Sequence, residues 1–138
     1  MSLKNGEKKM SKSEPDGCIF LTDEPEELEA KILKAKTDGV TGISYDTTNR
    51  KSLANLLNTL ALLRNTDAEL LAKELCNNSH LQLKNILIKE LSDYFTNFKI
   101  KYRTVNKNDA EEVLDLGTKA ASEIASLKLQ EFISVFNK

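Results

Sequence analysis

Apolar residues recur along this chain at intervals of three and four, and almost nothing interrupts them. The segment of about 50–64 carries Leu53, Leu56, Leu57, Leu60 and Leu63. The segment from Ser79 to about Val105 carries Leu81, Leu83, Ile86, Leu87, Ile88, Leu91, Tyr94, Phe95, Phe98 and Tyr102. From Asn106 or Asn108 to the C-terminus the set is Val113, Leu114, Leu116, Ala120, Ala121, Ile124, Leu127, Leu129, Phe132, Ile133 and Phe136. That period belongs to amphipathic helices and differs from the two-residue alternation of a half-buried strand. With only 5 Gly and 2 Pro in 138 residues there is little material for long irregular stretches. The expected class is all-α, a bundle of about five helices.

Two shorter helices complete the set. Thr22 or Asp23 is placed to accept from free backbone N–H groups, Pro25 suits a first turn, and Glu26 follows Asp23 at capping-box spacing. Leu28, Ile32 and Ala35 form one stripe as far as Lys36, and Asp38-Gly39 ends it. Asp67 caps a short helix to about Asn77, with Leu70, Leu71 and Leu75 facing inward. The last helix is long for such a chain, roughly 45 Å at 1.5 Å per residue. Its apolar residues cover more than one stripe, a pattern that calls for two neighbours. Exposed apolar surface and concentration-dependent self-association through this helix are therefore expected.

Composition excludes several function classes. The net charge is −1, so RNA contact would have to come from a local basic cluster. Lys99, Lys101, Arg103 and Lys107 are the candidates for phosphate contact; a solvated helix end, whose cations suit the negative dipole terminus, is the plainer account and the preferred one. The single His80 leaves no metal-binding constellation and reads as a helix-terminus residue. Cys18 and Cys76 read as free thiols, buried as small hydrophobes. No apolar run is long enough to span a membrane, and the first residues have no signal-peptide core. Tyr94, Phe95, Phe98 and Tyr102 read as core in preference to a base-stacking platform. Arg50 reads as a loop-to-helix brace in preference to a salt bridge of the catalytic face.

Residues 1–18 read as a mobile loop that contributes poorly to a core, followed by Cys18-Ile19-Phe20-Leu21 as an extended, strand-like connector. The loop holds Lys8-Lys9-Met10-Ser11-Lys12-Ser13-Glu14-Pro15-Asp16. Lysine ammonium groups suit phosphate as point charges, and Ser hydroxyls and loop N–H groups add donors to the same oxygens. When a triphosphate is attacked at its α-phosphorus, negative charge grows on the departing pyrophosphate. Cations that close on it favour the transition state over the ground state.

Lys9-Met10-Ser11-Lys12-Ser13 resembles the KMSKS signature of class I aminoacyl-tRNA synthetases. The residues downstream of it, an acidic-Pro stretch, an apolar run and Thr22-Asp23-Glu24-Pro25-Glu26-Glu27, resemble the tryptophanyl branch of that class. Lys36-Thr37-Asp38, Tyr45-Asp46-Thr47-Thr48-Asn49-Arg50 and Asn55-Leu56-Leu57 resemble further segments of the branch, as does a long last helix with Glu112-Val113-Leu114 and Gly117 four residues before Ala121. Lys12 resembles the bacterial and mitochondrial form of the loop.

The resemblance implies an ATP-dependent ligase that joins tryptophan to its tRNA, with magnesium accompanying the ATP. Lys9 and Lys12 would be catalytic, binding ATP phosphates and stabilising leaving pyrophosphate. Ser11 and Ser13 would hold the loop or donate to phosphate, and Met10 would anchor it by packing. Residues 1–18 would be the tail end of the catalytic domain, and 19–138 a helical anticodon-binding domain that recognises tRNA. The Rossmann-type half, with a HIGH-like motif and the tryptophan pocket, is expected in a longer homodimeric parent and largely absent here, so this chain alone is expected not to aminoacylate. Mitochondrial matrix and bacterial cytoplasm both fit. The alternatives are a non-catalytic helical RNA-binding or adaptor module, a synthetase for another amino acid, tyrosine being nearest, and a helical interaction protein that kept the loop by descent.

Overall fold

In the computed structural model residues 1–136 are described, and no strand occurs among them. Helices form where the apolar period predicts them: α1 at Pro25–Leu33, α2 at Lys51–Arg64, α3 at Ala68–Glu74, α4 at His80–Thr104 and α5 at Lys107–Phe136. A single 3-10 turn, Pro15–Gly17, precedes them. The chain divides into two compact units, Met1–Phe98 and a second beginning at Lys99.

The caps explain most boundaries. α1 starts later than expected. Its N-cap is Glu24, whose N–H donates to the Glu27 carboxylate at 3.2 Å. Asp23 has other work: it accepts from the Phe20 N–H at 2.9 Å and pairs with Lys31 at 2.6 Å. α1 also stops at Leu33, short of Lys36, although Ala35 is still buried. At α2's end Asn65 takes the left-handed conformation (φ 51°), which short polar side chains tolerate. Asp67 caps α3 by accepting from the Glu69 and Leu70 N–H groups, as its position predicts. Ser79 and Gln82 cap α4 reciprocally, and Asn106 and Asp109 do the same for α5.

The first unit buries one core. Leu28 and Ile32 of α1, Leu53, Leu56, Leu57 and Leu60 of α2, Leu71 of α3, and Leu83, Leu87, Leu91 and Phe95 of α4 meet there. Arg64 joins the helices from outside, pairing with Glu90 of α4 at 2.7 Å and Glu74 of α3 at 3.6 Å.

Several expected core positions lie outside it. Leu70, Leu81, Tyr94 and Tyr102 are exposed, so only Phe95 of the aromatic series is buried. Leu70, Leu81 and Tyr94 stand on flanks of their helices, where three-and-four spacing holds but the core does not extend. Cys76, expected to be buried, is exposed, while Leu75 before it takes the place in the core; Cys18 is buried as expected. Residues 1–18 are less loop-like than expected, since Leu3 joins the core. Cys18 is extended, but Leu21 and Thr22 already turn, so the connector is not a strand.

The second unit, from Lys99 on, holds the end of α4 and the whole of α5. Every residue of α5 from Lys107 to Val135 is exposed. Phe136, expected in its apolar set, has a side chain outside the described residues.

Candidate functional site

The lysine-serine loop is closed at its neck by backbone bonds. The Leu3 N–H donates to Gly17 O (2.9 Å), and the Ser2 N–H donates to Lys8 O (2.7 Å). Leu3 also accepts from the Lys36 N–H at 2.8 Å, which ties the neck to the segment after α1. Gly6 lies against the first turn of α2: a Cβ there would come within 2.7 Å of the Ser52 N, so only glycine fits. Two surface ion pairs, Lys4–Asp16 and Lys51–Glu7, lie beside the neck at 2.8 and 2.9 Å. Each lysine holds its partner's carboxyl below the ordinary carboxylate range.

Beyond the neck the loop turns at Ser11–Glu14, where the Glu14 N–H donates to Ser11 O at 2.9 Å. Lys12 and Ser13 are the two central residues of that turn. The hydroxyls of Ser11 and Ser13 lie 2.8 Å apart in a hydrogen bond. The buried Cys18 thiol donates to Ser11 O at 3.0 Å, a link between the turn and the interior that the sequence did not advertise. Met10 is half-buried and packs against the core. Lys9, Ser11, Lys12 and Ser13 are exposed, and neither Lys9 nor Lys12 forms an ion pair among the described residues. The structure thus gathers all five residues of the pentapeptide on one braced turn, with its cations toward solvent and its methionine inward.

A second polar centre lies at the start of α2. Arg50 is buried and grips Asp38 with two bonds, Nε to Oδ2 at 2.8 Å and Nη2 to Oδ1 at 2.7 Å. It also donates to Ser44 Oγ (2.8 Å), Val40 O (2.9 Å) and Gly42 O (3.1 Å). His80 Nε2 lies 3.1 Å from Nη2 and must accept there, because a guanidinium only donates. The guanidinium holds Asp38 below the ordinary carboxylate range, and Asp38 in return raises Arg50. Its hydrogen-bond partners all come from the 38–50 segment or from the first residue of α4. Arg50 is the brace that the sequence predicts.

The basic cluster sits where α4 ends and α5 begins. Lys101, Arg103 and Lys107 are exposed, Lys99 is half-buried, and Lys107 pairs with Glu111 at 3.2 Å. No three His, Cys, Asp or Glu residues come together to hold a metal among the described residues. No described helix is long and apolar enough to cross a membrane.

One functional candidate was missed from sequence. Lys84 lies buried on α4, its Nζ donating to Leu33 O (2.8 Å) and Ala35 O (2.7 Å). A lone lysine on the stripe of Leu83, Leu87, Ile88 and Leu91 was the available signal.

Comparison with known proteins bears on the whole chain. Tryptophan–tRNA ligase of Malacoplasma penetrans is 30% identical over 132 residues, covering 94% of this chain and 39% of that protein. The mitochondrial tryptophan–tRNA ligase of Dictyostelium discoideum is 35% identical over 135 residues, 94% of this chain and 35% of that one. The crystal structure of tryptophanyl-tRNA synthetase from Mycoplasma pneumoniae superposes with a TM-score of 0.85 at 26% identity, covering 94% of this chain and 42% of the other. The chain therefore spans about two-fifths of the length of these relatives. The family model for the class I tRNA synthetases of tryptophan and tyrosine matches residues 1–96, across the braced loop and the core of the first unit, and the chain belongs to that family.

Proposed function

We propose that this chain is the KMSKS-bearing helical part of a tryptophan–tRNA ligase, with residues 1–18 completing a catalytic domain and 19–138 forming the tRNA-recognising one. The observation that carries the proposal is the braced turn itself. Met10, the Cys18 thiol and the Leu3 neck hold it from inside, while Lys9 and Lys12 stand exposed without ion-pair partners among the described residues. Relatives carrying the name tryptophan–tRNA ligase support the choice of amino acid. The proposed compartment is the mitochondrial matrix or the bacterial cytoplasm: one relative is named a mitochondrial enzyme and others come from bacteria.

In this proposal ATP is the partner of the loop. Attack of the amino-acid carboxylate on the α-phosphorus breaks the bond to pyrophosphate, and the two ammonium groups neutralise the charge that grows on it. The Ser11 and Ser13 hydroxyls, now bonded to each other, reorient to donate to phosphate oxygens. Magnesium would come with the nucleotide, held by phosphate. Losing one such cation costs on the order of 3 kcal/mol in the barrier. Lys9→Ala and Lys12→Ala in the intact enzyme are each expected to slow tryptophan-dependent pyrophosphate exchange by about a hundredfold. An unchanged rate in the double variant would remove the loop from catalysis.

The sequence holds no HIGH-like motif, its one histidine being His80, and the tryptophan pocket is proposed to belong to the rest of the parent enzyme, so this chain is proposed to be inactive alone. Lys99, Lys101, Arg103 and Lys107 are the proposed tRNA phosphate contacts. Reversing their charges should weaken tRNA binding by the intact enzyme and flatten its salt dependence. An unaltered salt slope would discard the cluster.

A further inference from the structure

Lys84 makes two bonds that no surface lysine makes. It stands on α4 at 9% exposure, and it forms no ion pair among the described residues. Its Nζ instead donates to Leu33 O and Ala35 O at 2.8 and 2.7 Å. Leu33 is the last residue of α1, so the amine meets the negative end of that helix. The Ala35 carbonyl shares a peptide group with the Lys36 N–H, and that N–H donates to Leu3 O at 2.8 Å. The Leu3 N–H in turn donates to Gly17 O at 2.9 Å. Leu3 and Gly17 bracket the segment that contains Lys9–Ser13.

We infer that Lys84 is a positioning residue for the Lys9–Ser13 loop, its two interior bonds fixing the peptide from which the loop's neck hangs. A charge-assisted donor on a carbonyl polarises the whole peptide group and strengthens the donor at its other end. Lys84 thereby tightens the Lys36–Leu3 bond without touching the loop. Burial pushes the Lys84 ammonium below its ordinary value, and the two carbonyl oxygens are what it receives in place of water. The functional consequence rests on the proposed role of Lys9 and Lys12; the mechanical link does not.

Lys84→Met keeps most of the side-chain stem and removes the donors. Amide hydrogen exchange in this chain, followed by NMR, compares the neck amides of Leu3 and Lys36 with the core amides of Leu57 and Leu60. Exchange at the neck is expected to rise about tenfold beyond any rise in the core, and Lys84→Arg, which restores a cation, is expected to reverse much of that. Equal acceleration at all four amides, or none at the neck, would overturn the inference and leave Lys84 an ordinary structural residue. Should Lys84→Met fail to fold, Lys84→Gln supplies a neutral donor for the same comparison.

Titration with inorganic pyrophosphate separates the two layers. In the wild type it should shift the amides of Lys9, Ser11, Lys12 and Ser13, with weaker binding in Lys84→Met. Equal affinity in the two proteins would overturn the positioning role. No shift in the wild type would sink the phosphate reading of the loop, while the exchange data would still decide whether Lys84 holds the neck.

Discussion

α4 and α5 are written in the same sequence idiom and end in opposite environments. On α4, Leu83, Leu87, Leu91 and Phe95 are buried against residues of α1, α2 and α3. On α5, Val113, Leu116, Ile124 and Leu127 are 69, 64, 65 and 62% exposed. Periodic apolar spacing dictates that a segment can be helical and which side prefers to leave water. It does not dictate what covers that side. A 30-residue helix with Lys107 to Val135 all exposed leans on propensity, caps and intrahelical pairs, which are marginal sources of stability. For α5 these are the Asn106–Asp109 cap and the Lys107–Glu111 and Lys128–Glu131 pairs.

The strongest way to break the comparison is to truncate equivalent leucines. Leu87→Ala leaves a cavity in the first unit and is expected to cost about 3 kcal/mol in urea unfolding. Leu127→Ala, measured at the same low protein concentration, is expected to stay within about 0.5 kcal/mol of the wild type. Matching losses would mean that the α5 face is as well covered as that of α4.

Polar bracing is the next difference. The first unit has a buried guanidinium closing the 38–50 segment, whereas the Lys107–Glu111 and Lys128–Glu131 pairs of α5 lie on the surface. Arg50→Met strands Asp38 and frees the Val40 and Gly42 carbonyls, at a cost of about 3 kcal/mol. The pH dependence sharpens this. Asp38 has its pKa depressed in the folded protein by Arg50, so over the interval between its folded and unfolded values the unfolded chain binds more protons. The stabilisation is complete above the unfolded value and is lost as pH falls through the folded one. Stability measured between about pH 6 and pH 2 should fall less steeply on the acid side in Arg50→Met than in the wild type. Parallel curves would show that Asp38 owes its acidity to another group.

Legibility in the sequence followed the same divide. Helix existence was readable because the apolar period is long and rarely broken. The pentapeptide was readable as a motif, and Arg50 as a brace, because a charged residue at a loop-to-helix junction has few other uses. Flank positions such as Leu70, Leu81 and Tyr94 were not, since local spacing does not say which flank of a helix a neighbour covers. The α1 start was misjudged because Asp23, a good cap by type, is claimed by Lys31 and the Phe20 N–H. Leu3 and the Cys18 thiol were missed as loop anchors, and Lys84 as an interior donor. Each depends on a contact between residues distant in sequence, which local pattern does not encode.

The smallest expected effect on fold stability is also the most telling about α5. Ile124→Glu and Leu127→Glu place charge on an already exposed face, so neither should lower the unfolding free energy of the first unit by more than about 0.5 kcal/mol. Both should act on association. Exposed Ile124, Leu127, Phe132 and Ile133 form apolar surface that water favours covering, and a second copy of the chain supplies the same surface in return. The wild type is therefore expected to show a sedimentation coefficient that rises with concentration, and the double variant one that does not. A wild-type monomer at every concentration would mean that α5 holds its face open at no cost to solubility, and its apolar spacing would then need a different cause from the one that buries α4.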